Sequence, residues 1–216
     1  MTYVLGLDLA RVRDWTVLSA ILETENGFAV NYLRRWRPRR EDCVDAIEDV
    51  LDLISRHRMT RPVVALDANG IGREAAEVAI EGGLSVVADV YPVLPTHSSK
   101  PARQRSDGLV YVWKNELVGT TFRLLGERRL AIAAGLEEGP RLRREIEELR
   151  QIPTRRGTGT TWSHPDARTS SHDDLLMSVA LAAWTAERLR TQGSIGAIRP
   201  AKEVRWRSSR TPSGSR

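Results

Sequence analysis

The run Tyr3-Val4-Leu5-Gly6-Leu7-Asp8-Leu9 constrains the fold more than any other segment of the 216-residue chain. A strand with one wet face alternates apolar and polar residues. This one is apolar at both alternations, so it has to be covered on both faces, as the inner strand of a helix-flanked sheet is. Asp8 interrupts the run, and a carboxylate inside an apolar strand requires a partner or a ligand.

The surrounding pattern extends this into an α/β architecture. Residues 16–22 and 27–36 are short strand-like runs joined as a meander, and residues 41–58 place Val44, Ile47, Val50, Leu51 and Ile54 at helical spacing. A buried strand at 62–67, a helix at 71–81 closed by Gly82 and Gly83, and a strand at 85–91 complete a β-β-β-α-β-α-β order. That order predicts a mixed five-stranded sheet flanked by helices, the first three strands antiparallel and the next two parallel. Beyond it, residues 92–107 are rich in Pro, Ser and basic side chains and read as a loop. A helix at 113–129, a short strand at 130–133 and a charged helix at 138–151 with Leu142, Ile146 and Leu149 on one side follow, ended by Pro153. Residues 154–164, with Gly157 and Gly159 at their centre, form an added β-hairpin before a last helix at 172–190. The expected organisation is one domain over 1–190 and a basic, disordered tail over 191–216, where Gly, Ser, Pro and Arg dominate.

The net charge of +5 belongs to that tail, which holds six basic residues against Glu203. The remaining 190 residues balance 27 basic with 27 acidic side chains, so a surface for a polyanion has to arise by segregation of charge. A single cysteine, Cys43, excludes an intrachain disulfide and a cysteine zinc site, and fits an intracellular setting. No apolar run approaches the roughly 18 to 20 residues that span a bilayer, so no membrane role is expected.

Two further acidic positions join Asp8. Asp67 ends the apolar run Val63-Val64-Ala65-Leu66 where a parallel strand hands over to a helix, the edge at which open α/β sheets build their sites. Asp173 and Asp174 open the last helix. Three separated acidic positions are enough to hold divalent cations through oxygen. Structural roles compete. Asp67 precedes the turn-forming pair Asn69-Gly70, while Ser170-x-x-Asp173 and Ser171-x-x-Asp174 both fit a helix capping box. Asp14, six residues after Asp8, and His172, beside the third motif, are candidate supporting residues for the same centre.

Taken in order, Gly6-Leu7-Asp8-Leu9-Ala10, Asp14-Trp15-Thr16, Leu66-Asp67-Ala68-Asn69-Gly70-Ile71-Gly72 and His172-Asp173-Asp174-Leu175-Leu176 resemble the successive motifs of the nuclease domain of tailed-bacteriophage large terminases. Lys114-x-Glu116-Leu117 and Gly126-x-x-Arg129-Leu130-x-Ile132 are similar to the helix and strand between the family's second and third acidic motifs. The resemblance covers about residues 3–189. It implies an RNase H-like fold, two Mg²⁺ or Mn²⁺ ions and cleavage of double-stranded DNA during genome packaging in the cytoplasm of a bacterial host. Under it, Asp8 bridges both ions, Asp67 holds one, and Asp173 or Asp174 holds the other. The chain departs from the family at Met177, where another acid is common. Large terminases join this nuclease to an ATPase motor, but no G-x-x-x-x-G-K-[ST] segment occurs in these residues. A separate or fused packaging ATPase, the portal and the small terminase are the partners the resemblance implies.

Other classes stay open at this point. Holliday-junction resolvases and ribonucleases H share the acidic core. Gly70-x-Gly72-x-x-Ala75 after a strand also fits a dinucleotide-binding domain, although Asp67 would then push a negative charge toward the pyrophosphate. For DNA contact the expected residues are Arg155 and Arg156 at the hairpin tip, whose glycines let backbone approach phosphate, together with Lys114. Trp162 is placed either to brace that hairpin or for simple cross-strand packing.

Overall fold

The computed structural model describes residues 2–9, 15–37, 44–69, 72–153, 160–163, 173–193 and 198–201. Its centre is the strand that the sequence requires to be buried twice. β1 (Tyr3–Asp8) lies between β2 (Thr16–Thr24), with which it is antiparallel, and β4 (Val63–Asp67), with which it is parallel. β3 (Gly27–Trp36) continues the meander, and β5 (Asp89–Thr96) extends the parallel side. The expected arrangement of these five strands is therefore present.

The sheet is larger than five strands. β6 (Arg103–Gln104), β7 (Val110–Trp113) and β8 (Leu130–Ile132) bring it to eight in the order β6-β7-β5-β4-β1-β2-β3-β8. Prolines explain why residues 92–107 read as a loop. Pro92 and Pro95 lie within β5, yet β5 pairs with β4 only up to Val93 and with β7 only from Val93 onward. Each half of the strand has one neighbour, so each proline has an open side for its missing N–H. The expected strand at 85 begins later, because α3 (Leu84–Val87) comes first and leaves Val86 exposed.

Helices cover both faces. α1 (Val44–Arg56) and α2 (Gly72–Glu81) pack with Leu5, Leu7 and Leu66 on one face. α4 (Lys114–Gly126), α5 (Gly139–Glu148) and α6 (Asp174–Gln192) pack with Val4, Val17 and Ala65 on the other. β9 (Arg150–Pro153) and β10 (Thr160–Ser163) form the separate hairpin. It starts inside the segment that reads as the end of the charged helix, because α5 stops at Glu148. Trp162 does brace it, by stacking on Phe122 of α4 at 4.7 Å between ring centroids rather than on its partner strand. The presumed tail boundary at 190 falls within α6, and Ile198 and Ala201 are buried in the core, while Gln104 accepts from the Arg199 N–H and donates to its carbonyl. Residues 202–216 lie outside the described residues.

Candidate functional site

The strand register creates the site. Leu7 pairs with Leu66 in the parallel β1–β4 ladder, so the next residues, Asp8 and Asp67, are neighbours about 4.8 Å apart across the sheet. Strand alternation settles their direction. Leu5 and Leu7 face α1 and α2, so Asp8 faces α6; Val63 and Ala65 face α6, and so does Asp67.

The last helix is brought to the same point by a missing side chain. A Cβ on Gly6 would lie 1.9 Å from the Ser178 carbonyl oxygen, so only glycine lets α6 settle on β1 here. Ser178 Oγ then donates to the Gly6 carbonyl at 2.8 Å and shares a hydrogen bond with Ser19 Oγ at 2.9 Å. From Gly6 to Asp8 the strand rises about 6.6 Å, and from Ser178 back to Asp174 the helix rises about 6 Å. The matched rises carry the start of α6 to the level of Asp8.

Asp173 is the N-cap residue of α6, but its side chain does not cap the helix. Its Oδ2 instead accepts from Lys114 Nζ at 2.7 Å. This answers the capping-box reading for Asp173, whose carboxylate is turned outward to the site. Asp67 does accept the Asn69 N–H, at 2.7 Å, so it closes the turn and faces the cluster at once. Asp174, in the first turn of α6, is half-buried. Among the described residues, no three of these acids converge tightly enough to form a closed ligand set as they stand. Asp14, His172, Arg155 and Arg156 lie outside the described residues.

Several solved structures share this architecture. The magnesium-bound large terminase nuclease of thermophilic phage G20c superposes with a TM-score of 0.61 at 20% identity, over 84% of this chain and 80% of that one. A manganese-soaked human cytomegalovirus terminase nuclease domain matches at 0.54 and 12% identity, over 88% and 85%. The HK97 bacteriophage large terminase matches at 0.55 and 15% identity, over 86% of this chain but 39% of that one. The chain has the RNase H-like fold of large-terminase nuclease domains. No protein-family model and no curated protein sequence matches it.

Within the terminase-nuclease fold, the rival dinucleotide-binding arrangement falls away, because β1, β2 and β3 are antiparallel rather than parts of a doubly wound parallel sheet. The electrostatics are those of crowded acids. Burial pushes the Asp8 carboxyl well above the usual carboxylate range, and the charges of Asp67, Asp174 and Asp173 push it further, against the pull of Lys114. Asp67, 8% exposed, is raised to about 6 by burial, opposed by the Asn69 N–H and Lys114. Bringing a cation to these oxygens would relieve both.

Glu145 is the residue that sequence reasoning missed. It is 5% exposed on α5, and its Oε2 accepts the Leu176 N–H at 3.0 Å, one of the free donors in the first turn of α6. A carboxylate from another helix thus does the capping that Asp173 does not. Burial raises Glu145 to about 8, with Asp174 and Asp173 adding to the rise and the Leu176 N–H and Arg141 opposing it. A signal existed, since Glu145 lies three residues after Leu142 and four before Leu149, on the apolar side of its helix. Met177, where the family often has an acid, is buried. The additional carboxylate at this helix end comes from α5.

Proposed function

We propose that the chain is a metal-dependent endonuclease that cuts double-stranded DNA, as in terminase-type packaging of a bacteriophage genome. The observation that carries this reading is the β1–β4 register, which sets Asp8 beside Asp67 on the face where α6 presents Asp173 and Asp174. The donor set fits hard divalent cations, being carboxylate oxygen without sulfur. Asp8, Asp67 and Asp173 or Asp174 would together hold two Mg²⁺ or Mn²⁺ ions. Such ions supply Lewis acidity for in-line attack of water on a phosphodiester and for charge on the departing oxygen.

The chain's own groups have separate tasks. Lys114, held beside the acids by Asp173, offers a cation to a phosphate at the centre. Asn115 donates to the Thr160 carbonyl at 2.6 Å and accepts the Trp162 N–H at 3.3 Å, which fastens the hairpin to the start of α4. Arg155 and Arg156, between β9 and β10, are proposed to meet the DNA from that side, with Asp14 and His172 in support. A packaging ATPase, fused or separate, the portal and the small terminase are the proposed partners. The test is incubation of supercoiled plasmid with the protein and Mg²⁺, Mn²⁺, Ca²⁺ or EDTA. Nicked and linear products with Mg²⁺ or Mn²⁺ and none with EDTA are expected; intact plasmid under every metal would refute the reading.

A further inference from the structure

Asp67, Asp8, Val17 and Arg35 form one row across the sheet, since Asp8 pairs with Val17 and Val17 with Arg35. Arg35 lies on the same face as the two acids, because it reaches Glu138 at the start of α5, with Nε to Oε1 at 3.1 Å. Two inter-strand spacings separate it from Asp8, or about 10 Å. Trp15 stands just before β2, with the Arg35 guanidinium 4.0 Å and the Arg37 guanidinium 5.1 Å from its ring centroid. Arg37 is exposed and, among the described residues, pairs with no carboxylate.

We infer that Trp15, Arg35 and Arg37 form a binding site for the phosphate backbone of duplex DNA, on the side of the acidic cluster opposite Lys114. The inference rests on the nuclease reading and adds to it a grip on the substrate. A guanidinium stacked on an indole keeps its in-plane N–H donors turned outward, the geometry that bidentate phosphate contact needs. Stacking also orders both side chains in advance. Glu138 offsets part of the Arg35 charge and fixes its direction, which leaves Arg37 as the freer cation. The placement fits the substrate, since about 10 Å from Asp8 corresponds to about three nucleotide steps at 3.4 Å each along one strand. With Lys114 on the far side, cations flank the acids, and a duplex lying across the sheet edge meets both.

A second basic cleft provides an internal control. Thr96, Ser98, Lys100, Pro101, Arg103 and Arg105 line it with Tyr111, over whose ring Arg105 lies at 4.1 Å. Arg103 pairs with Tyr111, which alternates with the buried Val110 and Val112 and so faces away from the acids. Its charges have the wrong position for DNA held at Asp8.

The experiment measures binding of a 30-base-pair duplex to the full chain carrying Asp8→Asn, in Ca²⁺, over a series of salt concentrations. Arg37→Ala should weaken binding by about tenfold and make the logarithmic salt slope shallower by about 0.9, the loss of one phosphate contact. Arg35→Ala with Arg37→Ala should extend both effects, Arg37→Lys should restore the slope but not the full affinity, and Arg103→Ala with Arg105→Ala should leave both unchanged. Because Arg37 is exposed, the single variant does not depend on the Glu138 pair for folding, and equal melting temperatures verify this. Unchanged affinity and slope in the Arg37 and double variants, with a parent that binds duplex, overturn this inference alone. A wild-type chain that neither binds nor cuts duplex overturns it together with the nuclease reading.

Discussion

Ser178 Oγ donates to the Gly6 carbonyl at 2.8 Å, and this contact sets the height of the last helix over the central strand. The approach of the α6 acids to Asp8 follows from that height, because Asp174 lies one helical turn before Ser178 and Asp8 lies two residues after Gly6. Gly6→Ala would place a methyl group 1.9 Å from the Ser178 carbonyl oxygen, a collision with backbone that only displacement of α6 relieves. We expect destabilisation of at least about 3 kcal/mol, comparable with severe core overpacking, and loss of cleavage. Urea unfolding and the plasmid assay check both. Ser178→Ala keeps the fit and loses only hydrogen bonds, at about 1 to 2 kcal/mol.

Glu145 should behave as a positioning residue. Glu145→Ala leaves the Leu176 N–H buried without an acceptor, which costs about 1 to 3 kcal/mol, and lets the first turn of α6 fray beneath Asp173 and Asp174. Affinity for Mn²⁺, read by calorimetry, should fall in that variant. Glu145→Gln retains an acceptor oxygen and should recover most of it. Equal Mn²⁺ affinity in all three proteins would show that the cap does not organise the site.

The metal-free protein should lose stability as pH rises. Asp67 moves from 3.8 to about 6 on folding, and Glu145 from 4.5 to about 8. In each case the folded state holds its proton more tightly, so the stabilisation is complete below about pH 4 and is lost as pH climbs through 6 and then 8. Asp67 alone accounts for something on the order of 3 kcal/mol over that window. Urea unfolding in EDTA should give higher stability at pH 5 than at pH 8, and Mn²⁺ should shrink the difference by stabilising the ionised cluster. A flat profile in EDTA would contradict the crowding of these acids.

Asp8 and Asp67 were legible in the sequence because a carboxylate breaks an apolar strand pattern locally, with no tertiary knowledge required. Asp173 was visible but ambiguous, since its position also suits a cap, and only its bond to Lys114 separates the two roles. Among the outer strands, β8 was legible as the short strand at 130–133, whereas the end of β5 was hidden by its two prolines, which are tolerated only through the staggered pairing of its neighbours. Glu145 was hidden for a different reason. A glutamate in a highly charged helix resembles solvent-facing surface until α6 is known to pack over it. The approach of Arg35 and Arg37 to Trp15 was hidden as well, because it depends on the β2–β3 register.

If Asp8 is kept for the proposed chemistry at the expense of stability, one variant measured in two ways shows it. Asp8→Asn removes a carboxyl that burial and three neighbouring acids hold well above its ordinary pKa, while keeping its shape. Plasmid cleavage in Mn²⁺ should fall by at least about a thousandfold, the scale of losing a principal catalytic group, while the melting temperature in EDTA at pH 8 rises. Cleavage retained in Asp8→Asn would contradict that role.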